Sequence, residues 1–284
     1  GCGEAQQSAP APETKTVEPV AEVPSQPSSP PVEAKPAEPV ADAGNEWTPP
    51  KNPDPHAILN EAQADTRAKR YEIALAKHVW FHQNVLSIDE SFGGVRLSFA
   101  LSYWQKLAKQ YPPALTKLKE IRDQAKKNVM DGKNVFESFH DMESINDRLS
   151  EQAATSRVFE ILDEKSPKTA SEVFDLAKPS LVQAKAYSLF GKYVVPKHDI
   201  AKIIRSYKEQ KKFADDPGFG ARHLNFSNKQ FANDATTLVA ILTVTDRKKE
   251  AEEIAASARA AWGDSSFHAG LESALNGVVP DPWP

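Results

Sequence analysis

The sequence predicts an all-α protein of antiparallel helical hairpins, preceded by a long segment rich in proline, alanine and glutamate. Three observations support this fold class. Apolar residues recur at steps of three and four, which is the spacing of one helix face. Prolines and glycine-containing dipeptides interrupt these apolar stripes, as helix ends require. Glycine is scarce, at 12 of 284 residues, and alternating apolar and polar runs are short, so no β-sheet is expected.

The first 55 residues are predicted to be a linker. They contain 13 of the 22 prolines and almost no large apolar residue before Trp47. Such a segment buries too little apolar surface to offset the entropy lost on ordering, so we expect disorder with a polyproline II bias. Through Thr48 the acidic residues exceed the basic residues by six, whereas the whole chain carries a net charge of −4. The remaining body is therefore nearly neutral, which gives no electrostatic basis for a nucleic-acid partner.

The helical domain is predicted over residues 56–276, with a Pro-rich tail at 277–284. Helix ends are indicated by Pro112-Pro113, Asp131-Gly132, Ser166-Pro167, Lys178-Pro179 and Val195-Pro196, because proline stops one helix and is tolerated in the first turn of the next. Helices are expected at 56–69, 71–87, 94–110, 113–128, 134–149, 151–163, 168–177, 180–194, 197–213, 228–245, 247–262 and 265–275. Residues 214–227 are predicted to form the one long loop of the domain.

Two of these helices carry especially regular apolar stripes. In the first, the stripe includes Leu101, Trp104 and Leu107, and in the second it includes Ala251 and Ile254. Residues at this spacing lie on one face of a helix, so both stripes are predicted to face the core.

Hairpins of this length suggest a repeat array. The stretch EAQADTRAKRYEIALAKHVWFHQNVLSID resembles a tetratricopeptide repeat, with Ala68 at the small-residue position and Tyr71 at the aromatic position. The stretch LVAILTVTDRKKEAEEIAASARAAW, residues 238–262, is similar in its Ala251, although Thr245 and Lys248 replace the glycine and tyrosine of the family. The resemblance implies a tetratricopeptide-like superhelix with a concave binding surface.

Cys2 is the only cysteine of the chain, so it cannot form an internal disulfide. The pair Gly1-Cys2 resembles the last two residues of the lipobox of bacterial lipoproteins, in which the cysteine becomes the acylated first residue. This resemblance implies lipidation of Cys2 and, since glycine follows it, sorting to the outer membrane, facing the periplasm. The alternative is that Gly1 comes from cloning and that Cys2 is an incidental surface thiol. No apolar run approaches 18 residues, so acylation would be the membrane anchor.

Histidine pairs are the first candidates for a chemical site. His78 and His82 lie four residues apart on a predicted helix, a spacing that can bind a metal ion. Val79 stands where a zinc protease needs glutamate, so a packing role is favoured. Glu137 and His140 form one Glu-x-x-His step, which a di-iron bundle uses twice. No second copy occurs in the sequence, so a surface or capping role is favoured there too.

The sequence gives no support for an enzyme or a cofactor. Tyr207 and Lys211 have the Tyr-x-x-x-Lys spacing of short-chain dehydrogenases, but the glycine-rich nucleotide-binding turn of that family is missing. There is no Gly-x-Ser-x-Gly motif, no P-loop and no cysteine in the body. We therefore predict a protein without catalytic residues, bound metal or cofactor.

A basic run on one predicted helix, followed by the predicted loop, is the candidate recognition surface. The alternative for the basic run is a solvated helix face, and the alternative for the loop is that its aromatic rings pack over a groove of the domain. Loops on a rigid scaffold commonly carry binding residues. The residues expected to contact a partner are Lys208, Lys211, Phe219, Arg222, His223 and Phe226.

These features predict a non-enzymatic lipoprotein of the cell envelope that binds an envelope protein or peptide through a helical-repeat surface. The alternative is an all-helical ligand-binding or metal-binding protein, or an enzyme, whose pocket uses His78, His82 or His140. A third interpretation is a structural spacer without a specific partner.

Overall fold

The computed structural model describes residues 46–213 and 220–283. These residues contain helices and no β-strand, so the predicted all-α class is confirmed. The first helices are α1 (Pro55–Arg67), α2 (Tyr71–Ile88), a 3₁₀ turn (Glu90–Phe92), α3 (Gly93–Val95), a π-helix (Arg96–Ala100), α4 (Leu101–Ala108), α5 (Pro112–Met130) and α6 (Val135–Arg148). The remaining helices are α7 (Gln152–Lys165), α8 (Pro167–Gln183), α9 (Tyr187–Tyr193), α10 (Pro196–Lys212), α11 (Gly220–Val244), α12 (Lys248–Ala261) and α13 (Ser265–Leu275).

The helices pack mainly against their neighbours in the chain, as hairpins do. The most extensive contacts join α1 to α2, α5 to α6, α7 to α8 and α11 to α12. Helix α11 also packs on α10 and α13, and it is the longest helix, with 25 residues. Side chains cap some helix starts: Asp54 accepts hydrogen bonds from the backbone N–H groups of His56 and Ala57, at 2.9 and 3.3 Å. Such caps satisfy donors that a helix N-terminus leaves open.

Three apolar clusters follow one another along the chain. The first joins α1, α2 and the π-helix around Phe81 and Val85. The second joins α2, α4, α5 and α6 around Leu101 and Trp104, and the third spans α5 to α13. Both predicted stripes face these clusters, because Leu101, Trp104, Leu107, Ala251 and Ile254 are all buried.

Four of the turns between helices share one backbone geometry. A residue with positive φ occupies the centre of each: Lys69 (62°), Ser150 (58°), Lys185 (56°) and Asp246 (61°). In every case the next residue donates its N–H to the carbonyl five positions earlier, at 2.7 to 2.9 Å, which is the Schellman pattern. The next helix then begins two residues after the positive-φ position. None of these four central residues is glycine, whereas Gly132 (72°) follows α5 with the same type of bond, from the Lys133 N–H to the Asn128 carbonyl at 2.8 Å.

The predicted helix end at Lys178-Pro179 and the predicted helix 180–194 are both wrong. Helix α8 continues through Pro179 to Gln183, because Leu181 and Val182 beyond the proline are buried in the core. The predicted helix 180–194 is instead the end of α8, a turn at Lys185, and the short α9.

The predicted loop 214–227 is also wrong over residues 220–227, which form the first two turns of α11; residues 214–219 lie outside the described part of the chain. Contacts with α10 explain the helix. The His223 Nε2 lies 3.1 Å from the Gln210 carbonyl oxygen, the Tyr207 hydroxyl donates to Asn228 at 2.7 Å, and Ser227 is buried.

Candidate functional site

Five of the residues predicted for partner binding lie on α10 and α11, at neighbouring ends of these two packed helices. Lys208 and Arg222 are exposed, and Phe226 keeps 46% of its surface accessible. The Lys211 Nζ lies 5.3 Å from the centre of the Tyr207 ring. Phe219 lies outside the described residues, as does Cys2.

His223 is more constrained than its neighbours on α11. Its Nε2 lies 3.1 Å from the backbone oxygen of Gln210, and its ring meets the Phe213 ring edge-on at 6.0 Å between centroids. His223 therefore joins α10 to α11, and its partial burial makes it part of the helix interface.

The segment that follows α13 lies on α11. The side-chain amide of Asn233 donates to the Asp281 carbonyl at 2.7 Å, and its oxygen accepts from the Trp283 N–H at 3.0 Å. The Trp283 ring contacts Phe226 at 6.2 Å between centroids, and the Lys229 Nζ lies 5.5 Å from the indole centre. Because Phe226, Lys229 and Asn233 are spaced by three and four residues, they share one face of α11, which we call the α11 stripe.

The α11 stripe contacts both the backbone and a side chain of the docked segment. Pro280 and Pro282 favour extended conformations in the residues that precede them, so the segment presents an accessible carbonyl and N–H to Asn233. Phe226 and Lys229 bind the indole by ring contact and by cation–π attraction, which the electron-rich ring face favours. The stripe thus contacts a short extended segment in two independent ways.

A cavity of about 360 Å³ lies between α8, α9, α10 and α11, with Pro282 and Trp283 among its walls. Its apolar lining includes Pro179, Val182 and Phe190. Its polar lining is provided by Asp175, Lys178, Asp199, Lys202, Ser206, Gln230, Asn233, Asp234 and Thr237.

Asp234 and Thr237 are the polar residues of this cavity without partners. Asp234 has no hydrogen bond or ion pair with any residue that the structure describes, and the buried hydroxyl of Thr237 has no hydrogen-bond partner among them. Asp234 is an exposed residue, but the protein around its carboxyl displaces water and raises its pKa to about 6, an effect that Lys178 partly offsets.

A second, open groove of about 1030 Å³ lies among α2, the π-helix, α5 and α6. Its walls include Arg96, which is 5% exposed and forms an ion pair with Asp141. The Arg96 Nη1 also lies 3.1 Å from His82 Nε2. Burial opposes the ionisation of Asp141, but hydrogen bonds and charge from His82 and Arg96 outweigh it and lower the pKa of Asp141.

The histidine pair of α2 is buried in the structure. His78 and His82 are 2% and 6% exposed, and both rings contact Trp104. Neither nitrogen of His78 has a hydrogen-bond partner among the described residues, and burial lowers the pKa of His78 to about 4. Burial also lowers the pKa of His140, against the charges of Asp141 and Glu137.

Residues 46–213 and 220–283 contain neither a cluster of metal ligands nor a membrane-spanning helix. Within those ranges, no group of three or more His, Cys, Asp or Glu side chains could hold a metal ion. None of the helices there combines the length and the apolar character needed to cross a bilayer.

Comparisons with protein-family models, with curated proteins and with solved structures found no match to this chain.

Sequence reasoning missed Asn233 and Trp283, the two residues that connect the last segment to α11. Their hydrogen bonds and contacts join positions 50 residues apart, a distance over which the spacing of residues in one sequence carries no information. The nearest signal was the aromatic and cationic composition of the predicted loop 214–227, which indicated Phe226 as a binding residue.

Proposed function

We propose that this protein is a lipid-anchored scaffold of the cell envelope that binds an extended segment of a partner protein on the α11 stripe. The observation that supports this proposal is the seating of Asp281–Trp283 on Phe226, Lys229 and Asn233. The body already binds one extended peptide segment, and that segment belongs to its own chain.

The contacts are of the kind that recognise peptides. A side-chain amide that pairs with both a carbonyl and an N–H reads the backbone of an extended segment, whatever its side chains. Specificity comes from the neighbouring pocket for an aromatic side chain, as in other modes of peptide recognition. Proline on both sides of the bound residues reduces the entropy lost on binding, because the free segment is already extended.

The anchor and linker part of the proposal rests on the sequence. A lipidated Cys2 would fix the chain to a membrane, and the predicted linker that precedes α1 would let the helical body reach partners at a distance from it. As a flexible coil, such a linker has a mean reach of roughly 40 Å. No catalytic step is part of this function, since peptide binding by the α11 stripe requires none.

Peptide binding is tested with a fluorescent copy of residues 277–284, GVVPDPWP, added to Trp283→Ala and to the unmodified chain. The tethered segment competes with the added peptide at an effective concentration of about millimolar. Weakening that competitor in Trp283→Ala should therefore increase the apparent affinity for the added peptide by about tenfold or more. Fluorescence anisotropy measures the change.

Two matched controls define the site. The peptide GVVPDPAP lacks the indole and should bind Trp283→Ala more weakly than GVVPDPWP. The double variant Asn233→Ala, Trp283→Ala lacks the backbone contact and should lose the gain in affinity. The proposal fails if Trp283→Ala does not bind the peptide, or if removing Asn233 leaves binding unchanged.

Lipidation has its own test. The full precursor is expressed in a bacterial host, and the membrane-fraction protein is compared with Cys2→Ser by intact mass spectrometry. A mass increase of diacylglyceryl or triacyl size that is lost in Cys2→Ser is expected. Unmodified protein in the soluble fraction would contradict the anchor without bearing on peptide binding.

A further inference from the structure

The cavity between α8, α9, α10 and α11 has the size of a small-ligand site. Its volume of about 360 Å³ falls within the range of roughly 300 to 1,000 Å³ that such sites occupy, and its lining combines polar with apolar side chains. Asn233 of the α11 stripe, together with Pro282 and Trp283 of the docked segment, is also part of its lining.

One acidic residue of the cavity wall is not paired with a basic residue. Asp175 is paired with Lys178 at 2.6 Å and with Lys202, so both lysines of the wall are engaged. Asp199 accepts the N–H of Val195 at 2.9 Å. Asp234 is exposed and has no such partner among the described residues. The three acids of the wall therefore outnumber its two lysines by one, and this excess negative charge favours a cationic ligand.

Two further groups lack partners in the same wall. Thr237 is 8% exposed and its hydroxyl oxygen is unpaired, and the indole Nε1 of Trp283 is likewise buried and unpaired among the residues described. A buried polar group without a hydrogen bond destabilises the folded chain. A ligand with polar atoms near these groups would remove that destabilisation, which favours its binding.

From this geometry we infer that the cavity binds a small organic amine, whose ammonium pairs with Asp234 and whose apolar body contacts Pro179, Val182 and Phe190. The Thr237 hydroxyl and the Trp283 N–H supply further hydrogen bonds. A small anion is disfavoured because Lys178 and Lys202 are already paired with Asp175. The cavity shares Asn233, Pro282 and Trp283 with the docked segment, whereas Asp234 makes none of the hydrogen bonds that hold that segment.

The inference is tested by calorimetric titration of the full chain at neutral pH with phenethylamine and with isobutylamine. Phenylacetate provides the anionic counterpart of the first probe. Saturable one-site binding of at least one amine is expected, with no binding of phenylacetate. Asp234→Asn should weaken amine binding by about tenfold or more, and Thr237→Val by about threefold.

The control variant is Glu252→Gln, which removes one exposed acid of α12 and should leave amine binding unchanged. The indole N–H signal of Trp283 in a ¹H–¹⁵N spectrum, assigned with Trp283→Phe, should shift on titration. The inference is overturned if neither amine shows saturable binding, or if Asp234→Asn binds the amine as tightly as the unmodified chain does. Binding of phenylacetate as tight as that of phenethylamine, or an unchanged Trp283 signal, would also overturn it. Loss of peptide binding with amine binding retained would leave this site standing.

Discussion

His78 should make the stability of this protein depend on pH between about 6.5 and 4. Its imidazole is 2% exposed, stacks on Trp104 at 5.8 Å, and has no hydrogen-bond partner among the described residues. Burial lowers its pKa from 6.5 to about 4. In this pH window the unfolded chain binds a proton at His78 that the folded chain does not, so the free energy of unfolding falls as the pH falls.

The size of the effect follows from the pKa difference. Each pKa unit corresponds to about 1.4 kcal/mol, so a difference of roughly 2.5 units makes His78 responsible for about 3 kcal/mol once the pH is below 4. His78→Phe keeps an aromatic ring beside Trp104 and removes the titrating nitrogens. This variant should therefore lose about 3 kcal/mol less than the unmodified chain when the pH is lowered from 7 to 4.

Urea unfolding at a series of pH values, followed by circular dichroism, measures this difference. Other titrating groups contribute equally to both proteins, so the difference between the two pH profiles reports on His78. His198→Phe, at a side chain that is 70% exposed, is the matched control and should keep the pH dependence of the unmodified chain. Equal pH dependence in His78→Phe and the unmodified chain would refute the reasoning.

Two further variants test the packing of the domain. Lys77 is buried and pairs with Asp65 at 2.8 Å and with Glu61 at 2.7 Å; Asp65→Asn should therefore destabilise the fold by about 3 kcal/mol in urea unfolding. Glu61→Gln, at an exposed partner, should cost less than about 1 kcal/mol, and equal losses would contradict this account. Gly191→Ala would place a Cβ 2.9 Å from Thr245 Cγ2 and should destabilise by about 1 to 2 kcal/mol. Adding Thr245→Ser should recover part of that loss in thermal melts, and no recovery would show that the clash is not its cause.

The sequence was sufficient for the fold class because local signals decide most helices here. Apolar stripes such as Leu101, Trp104 and Leu107 point to the core without knowledge of their partners, and all three are buried. Pro112, Pro167 and Pro196 lie at the first positions of α5, α8 and α10, as their fixed φ angle predicts.

Where the prediction was wrong, tertiary contacts outweighed local preference. Pro179 removes one hydrogen bond from α8, but burial of Leu181 and Val182 keeps the helix continuous. Residues 220–227 are helical because Ser227 and its neighbours pack against α10. The cavity and its unpaired Asp234 could not be predicted, because they arise only where α8, α9, α10 and α11 meet.

The four turns centred on Lys69, Ser150, Lys185 and Asp246 have a consequence for how repetition in this chain can be detected. The hydrogen bonds that define each turn join backbone atoms, so side chains there can change while the bend is preserved. Glycine most often occupies such a position, but these four turns have lysine twice, serine once and aspartate once. If these hairpins arose by duplication, the backbone torsion angles of the turns could stay similar after the residues had diverged. A search for repeats should therefore compare φ values along the backbone.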